Sequence, residues 1–165
     1  MKLSHDDLVK IAAQWLIKKR YPIVITEIAC AVGEEPDAIG FKDGSSTLIE
    51  CKANRPDFKR DSKKTYRRNE CKTALGSYRY YCAPKNLIKL EELPKKWGLL
   101  EVDPESLNVR CVFKPVVFQN KCYRSEVYML MSLVRRIGQT SPNGVSIDCY
   151  IKETKNRAKV YLDKD

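Results

Sequence analysis

The feature that most constrains the fold of this chain lies at residues 36–52, where two runs of strand-forming residues flank an Asp43-Gly44 pair. The runs are residues 38–41 and 47–53, and both are rich in apolar and β-branched side chains. An Asp-Gly pair between two such runs is a strong short-range signal for a β-hairpin. The chain is therefore expected to contain a local two-stranded unit, on which a larger sheet is built.

The turn sets which residues of the two strands face each other. If Asp43-Gly44 is a two-residue loop, Lys42 pairs with Ser45, and Asp37 then falls opposite Glu50. Directly opposed residues have Cβ atoms roughly 4.5–5.5 Å apart. Two carboxylates at that separation can share one divalent cation, whereas without a cation they would repel each other.

Alternation along the second strand decides which side chains accompany this acidic pair. Glu50 and Lys52 are expected on the same face as Leu48, because neighbouring side chains of a strand point to opposite faces. A four-residue turn would place Asp37 opposite Lys52, but the three charged groups would still meet at one end of the hairpin. The other face is expected to carry Ile49, Cys51 and Ala53.

Composition indicates the class of partner. The chain has 165 residues, with 31 Lys and Arg against 21 Asp and Glu, a net charge of +10. A strongly basic chain favours a polyanion, either nucleic acid or an anionic membrane surface. No apolar run approaches the ~20 residues of a spanning helix and no signal peptide is recognised, so a membrane partner is not expected. The length predicts a single domain over residues 1–165.

Cysteine and histidine usage excludes several kinds of site. The seven cysteines are an odd number without a C-x-x-C pair, which argues against a disulfide framework and against a zinc site. Reduced thiols and a cytoplasmic location are therefore predicted. His5 is the one histidine of the chain, which excludes chemistry that needs two.

The segment before the hairpin is predicted to form a helix and a strand. Ser4 and Asp7 form a capping-box-like start, and apolar residues then recur at helical spacing to Leu16. Residues 23–30 are predicted to form the first strand, interrupted by Glu27, which is either an exposed edge carboxylate or a further acid near a metal. Two more acids, Glu34 and Glu35, are predicted to be solvated in the loop before Pro36.

A basic segment follows the hairpin. Residues 55–72 are predicted to form a helix that starts near Asn54-Arg55-Pro56 and has little apolar content. It is either a solvated helix face or a surface that contacts phosphates. Its basic residues are Arg55, Lys59, Arg60, Lys63, Lys64, Arg67, Arg68 and Lys72.

The remainder of the chain is predicted to alternate strands and helices. We expect a strand at residues 78–83, a short helix at 87–93, a hairpin formed by 98–102 and 109–113, a helix at 123–137 and a strand at 145–151. The helix at 123–137 is predicted to face the core. The stripe that supports this prediction consists of Tyr123, Val127, Leu130, Met131, Val134 and Ile137.

Pro36-Asp37 followed by Glu50-Cys51-Lys52 resembles the signature of the PD-(D/E)XK nuclease superfamily. The resemblance implies an α/β (α+β) fold with a restriction-endonuclease-like core in the order α-β-β-β-α-β, over about residues 4–83. That core has a central mixed sheet of about four strands with flanking helices. Residues 84–165 would then be a C-terminal elaboration with a hairpin and a helix. Residues 78–84, Leu93-Pro94 and Gly98-Leu99-Leu100 are similar to motifs of small phage and bacterial members associated with DNA repair or recombination.

The resemblance also implies a site and a cofactor. Asp37 and Glu50 would hold Mg²⁺ or Mn²⁺ together with the backbone carbonyl of Cys51, and Glu27 is a further candidate ligand. Lys52 would orient or deprotonate the attacking water. In the helix after the hairpin, Asp61 and Lys63 are secondary candidates.

Three functions compete on this evidence. The first is a metal-dependent endonuclease that acts on DNA in repair, recombination or phage DNA processing. The second is a Holliday-junction resolvase of the same superfamily, which would act as a homodimer so that two sites cut symmetrically. The third is a non-catalytic nucleic-acid-binding module, against which the paired carboxylates argue, since a pure binder does not need acids facing its polyanion. An ordinary cross-strand charge cluster is the non-functional alternative.

Overall fold

The computed structural model describes residues 2–28, 34–61 and 74–140, with the backbone alone at 137–140. The elements are α1 (His5–Lys18), β1 (Ile23–Thr26), β2 (Ala38–Lys42), β3 (Ser45–Cys51), α2 (Arg55–Asp61), β4 (Tyr78–Pro84), a 3-10 turn (Leu90–Glu92), β5 (Gly98–Val102), β6 (Val109–Phe113) and α3 (Tyr123–Thr140). The order α1-β1-β2-β3-α2-β4 is the order expected for the core. The structure is therefore a mixed α/β fold.

The strands of the described residues form one six-stranded sheet in the order β1-β2-β3-β4-β5-β6. The pairs β3–β4 and β4–β5 are parallel, and the other neighbours are antiparallel. The expectation of a sheet of about four strands is wrong, because the predicted hairpin at 98–102 and 109–113 forms as β5 and β6 and joins the same sheet through the pairing of β5 with β4. Gly98 permits this pairing, since a Cβ at that position would lie 2.6 Å from the ring of Tyr80.

Several element boundaries differ from the prediction. β1 ends at Thr26 rather than at residue 30, because Glu27 adopts a positive φ of 47° and turns the chain away. The expected helix at 87–93 is only a 3-10 turn at Leu90–Glu92. Beyond Asp61 the predicted basic helix lies outside the described residues, as does the predicted strand at 145–151.

The two faces of the sheet have separate apolar cores. One face packs under α1, where Leu8, Ala12 and Leu16 lie against Ile49 and Cys51. A capping box fixes the start of this helix as predicted, since the Ser4 hydroxyl accepts from the amide of Asp7. The opposite face carries the second core, which includes Leu48, Phe58, Tyr81, Trp97 and Met129.

The face that α3 buries is not the predicted one. Val127 and Met131 are 54% and 59% exposed, and Tyr123 and Val134 are also exposed, whereas Met129 is fully buried. Of the predicted stripe, Leu130 packs partly against the core, and the Ile137 side chain is not described. The prediction of a core-facing stripe is therefore wrong for most of its residues.

A buried polar cluster explains the orientation of α3. The Glu126 carboxylate accepts hydrogen bonds from the Ser46 hydroxyl, the Gly76 amide and the Lys121 ammonium. Glu126 and Lys121 are both buried, and their ammonium and carboxylate are 2.9 Å apart. Because an unpaired buried charge is costly, this ion pair decides which side of the helix faces the sheet.

A second acid is also buried against expectation. Glu34 is only 3% exposed, and its carboxylate accepts a hydrogen bond from the amide of Leu75 at 2.7 Å. The predicted solvated position is therefore wrong for Glu34, although Glu35 is exposed as expected. Glu34 links the segment before β2 to the segment before β4.

Candidate active site

The hairpin register is the one predicted from the two-residue loop. Lys42 pairs with Ser45, and the ladder continues to Ala38 opposite Ile49. Asp37 and Glu50 are the next residues on the two strands and therefore flank the same end of the hairpin. Lys52 follows β3 directly.

The backbone beside Lys52 is anchored to β4. Its amide donates to the carbonyl of Cys82 at 2.8 Å, so the parallel β3–β4 pairing extends one residue past β3. Lys52 is therefore held by the sheet rather than by a free loop.

The Asp37 carboxylate is held by the backbone of the opposite strand. Its Oδ2 accepts a hydrogen bond from the amide of Cys51 at 2.6 Å, and the side chain is 16% exposed. A charged acceptor strengthens such a bond, so the carboxylate has a defined position without any cation.

The Lys52 ammonium lies among three carboxylates. Its Nζ is 3.3 Å from Glu50 Oε2, 3.4 Å from Asp61 Oδ1 and 4.0 Å from Asp37 Oδ2. Glu50, Lys52 and Asp61 are all buried. The structure thus brings the three predicted catalytic residues together and adds Asp61, a secondary candidate, to the same cluster.

His5 is a site residue that the sequence interpretation missed. It is the first residue of α1, and its Nε2 is 3.5 Å from Asp37 Oδ1 and 3.9 Å from Glu27 Oε1. No local pattern in the sequence connects the start of α1 with Asp37. The single signal available was that His5 is the one histidine of the chain.

Glu27 lies at the outer edge of the site. Its side chain is 58% exposed, and its amide donates to the carbonyl of Asp37 at 3.2 Å. The backbone of Glu27 is therefore hydrogen-bonded to that of Asp37, and the carboxylates of both residues lie near the His5 imidazole. It is not part of the buried group around Lys52.

Cys51 can contribute only its backbone to the site. Its thiol lies in the core under α1, on the face opposite Glu50. A hydrogen bond with Cys82, together with burial, raises the thiol pKa well above its usual value. The thiol therefore stays protonated and is a poor metal ligand.

The donor set fits a hard divalent cation. Asp37, Glu50 and the main-chain carbonyl of Cys51 offer oxygen atoms, which suit Mg²⁺ or Mn²⁺. Among residues 2–28, 34–61 and 74–136, no group of three His, Cys, Asp or Glu side chains is arranged to hold an ion alone. Mg²⁺ does not require one, because it keeps several waters and is often bound through one or two carboxylates.

The predicted phosphate-binding residues fall into three groups. The Arg55 guanidinium has protein partners, since it pairs with Glu92 and also donates to the carbonyl of Leu87. Lys59 and Arg60 are exposed on α2, in the turn that ends at Asp61. The others lie outside the described residues: Lys63, Lys64, Arg67, Arg68 and Lys72.

Comparisons with known proteins bear on the fold. No family model matches the chain, and no curated protein matches it. The structure is similar to that of a protein of unknown function from Silicibacter pomeroyi, with a TM-score of 0.59 and 20% sequence identity. The match covers 90% of this chain and 99% of that chain. At this identity the likeness extends to the fold alone.

No helix within the described ranges is long and apolar enough to span a membrane.

Proposed function

We propose that this chain is a metal-dependent nuclease of the PD-(D/E)XK type that hydrolyses phosphodiester bonds in DNA. The observation that carries the proposal is the group of Asp37, Glu50 and Lys52 at the shared end of β2 and β3. A protein of net charge +10 that only bound nucleic acid would not need two acids facing that polyanion, whereas a site for a divalent cation does need them.

Each residue of this group has a role that follows from its position. Asp37 and Glu50 would hold the cation, which when bound activates water and neutralises charge on the phosphate. Lys52 carries a positive charge beside both acids and would stabilise the negative charge that develops on the phosphate oxygens. Since that charge is greatest in the transition state, Lys52 should act on the rate more than on substrate affinity.

Lys52 would act as a cation rather than as the base. Three carboxylates within 4.0 Å favour the charged ammonium, whereas a base must first lose its proton. Of the two roles expected for Lys52, the surroundings therefore support orienting the water and stabilising charge.

DNA is the proposed substrate because the net charge of +10 favours a polyanion and exposed positive charge lies on α2, the helix that carries Asp61. Lys59 and Arg60 are exposed on the helix that follows β3.

The described cysteines, Cys51, Cys82, Cys111 and Cys122, are free thiols, which supports a reducing, cytoplasmic compartment.

Cleavage of labelled DNA tests the proposal. Single strands, duplexes and four-way junctions are incubated with Mg²⁺ or Mn²⁺, and binding is measured separately without metal. We expect Glu50→Gln and Lys52→Met to lose cleavage by orders of magnitude while metal-free binding changes little. Glu105→Gln and Lys95→Met, which change exposed residues of the same types, are the matched controls.

The outcomes separate the three candidate functions. Selective, symmetric cutting of junctions by a dimer would identify a resolvase, and binding without cleavage by the wild-type protein would identify a binding module. Cleavage by Glu50→Gln or Lys52→Met at the wild-type rate would show that this group is not the catalytic site.

A further inference from the structure

The further inference concerns how Lys52 is held when Glu50 binds a cation. In the structure the Lys52 ammonium pairs with Glu50 at 3.3 Å and with Asp61 at 3.4 Å. Glu50 therefore has two competing uses, as the partner of Lys52 and as a metal ligand. Asp61 offers Lys52 a partner that does not depend on Glu50.

Asp61 has a defined position of its own. It is the last residue of α2 and only 2% exposed, and its Oδ2 accepts a hydrogen bond from the Tyr81 hydroxyl at 2.8 Å. This leaves Oδ1 facing Lys52. The two carboxylate oxygens thus serve two different partners.

Tyr81 in turn is fixed by packing. Its ring stacks on Trp97 at a centroid distance of 4.6 Å and meets the edge of Phe58 at 5.1 Å. Phe58 belongs to α2, as Asp61 does, so the same aromatic contacts hold both the tyrosine and the helix that carries the carboxylate. Asp61 therefore has little freedom to move when Lys52 changes partners.

We propose that Asp61, oriented by Tyr81, is a positioning residue that retains the Lys52 ammonium and releases the Glu50 carboxylate to the cation. The inference rests on the proposed function. Because an ammonium buried without a partner is costly, Lys52 would compete with the cation for Glu50 if Asp61 were absent. Asp61 thus favours metal binding without acting as a ligand.

The inference predicts a specific coupling between Asp61 and Lys52. Asp61→Asn should weaken Mn²⁺ binding roughly tenfold, within the range measured for interacting residues. Lys52→Met should strengthen Mn²⁺ binding, since it removes a competing positive charge. In the Lys52→Met background, Asp61→Asn should weaken Mn²⁺ binding clearly less than it does with Lys52 present, because the direct attraction of the carboxylate for the cation is then lost but there is no ammonium left to position.

Titration calorimetry with Mn²⁺ on the wild type, both single variants and the double variant tests this coupling, and thermal melts check folding. Tyr81→Phe keeps the ring packing and removes only the hydroxyl, so it replaces Asp61→Asn if that variant does not fold. We expect a few-fold weakening of Mn²⁺ binding from Tyr81→Phe that disappears with Lys52→Met.

Each result decides the inference. If Asp61→Asn weakens Mn²⁺ binding equally in both backgrounds, Asp61 is a ligand of the cation rather than a positioning residue. If Asp61→Asn does not weaken Mn²⁺ binding with Lys52 present, Asp61 has no positioning role. Either result overturns the proposal. A wild type that binds Mn²⁺ with the expected coupling but cuts no DNA would overturn the nuclease function alone. A wild type that binds no Mn²⁺ would overturn both.

Discussion

The amide of Cys51 donates a hydrogen bond to the Asp37 carboxylate at 2.6 Å, across the end of the β2–β3 hairpin. This bond places one acid of the candidate site by means of the backbone of the strand that carries the other. The position of Asp37 is therefore part of the fold and does not depend on a bound cation.

The first prediction concerns the stability that this bond supplies. A hydrogen bond to a charged acceptor contributes about 1.5–3 kcal/mol, so Asp37→Ala should lower the free energy of unfolding by about that amount. Asp37→Asn keeps an acceptor oxygen and should lose less. Urea denaturation without metal measures both, with the exposed Glu35→Ala as control. Equal losses for the two Asp37 variants would mean that the bond contributes little.

The second prediction concerns the pH dependence of the Arg55–Glu92 pair. The Arg55 guanidinium, together with the amide of Lys89, lowers the pKa of Glu92 from 4.5 to about 2. Because the folded-state pKa lies below the unfolded value, the pair stabilises the protein above about pH 4.5, and this contribution is lost as the pH falls toward 2.

Glu92→Gln isolates this contribution. The stability difference between the wild type and Glu92→Gln should be constant near neutral pH and should shrink below pH 4.5, as measured by urea denaturation at a series of pH values. Glu91→Gln changes a neighbouring exposed acid and serves as control. A difference that persists unchanged at pH 2 would contradict the effect of Arg55 on Glu92.

The third prediction concerns the exposed cations of α2. If Lys59 and Arg60 each contact a DNA phosphate, Lys59→Glu and Arg60→Glu should weaken metal-free binding. Each should also reduce the slope of log affinity against log salt concentration by roughly 0.7–0.9. Lys18→Glu is the matched control, because Lys18 is exposed at the far end of α1 from His5. Unchanged affinity and slope in the α2 variants would identify Lys59 and Arg60 as ordinary solvated residues.

The hairpin could be predicted from the sequence because its signals are local. Asp43-Gly44 determined the register, and alternation placed Glu50 and Lys52 on the face of Leu48, as the two cores confirm. The pairing of β5 with β4 could not be predicted, since it depends on residues far apart in sequence and on the space that Gly98 leaves for Tyr80.

The part of the site that was missed depends on contacts between distant elements. His5 reaches Asp37 because α1 packs on the face behind β2 and β3, a relation that no spacing in the sequence encodes. The burial of Glu34 likewise depends on the Leu75 amide, 41 residues further along the chain. Local patterns placed the strand ends, whereas packing of the helices decided which further groups reach them.

The last prediction compares two methionines on α3. Apolar periodicity favours Met131 as a core residue, but the buried Lys121–Glu126 pair turns the helix so that Met129 is fully buried and Met131 is 59% exposed. Met129→Ala should therefore lower the free energy of unfolding by about 2–5 kcal/mol, because it leaves a cavity. Met131→Ala makes the same chemical change at an exposed position and should stay within about 0.5 kcal/mol of the wild type. Chemical denaturation of the two variants measures the difference directly. A larger loss of unfolding free energy for Met131→Ala than for Met129→Ala would show that Met131 is the core residue, as the periodicity favours.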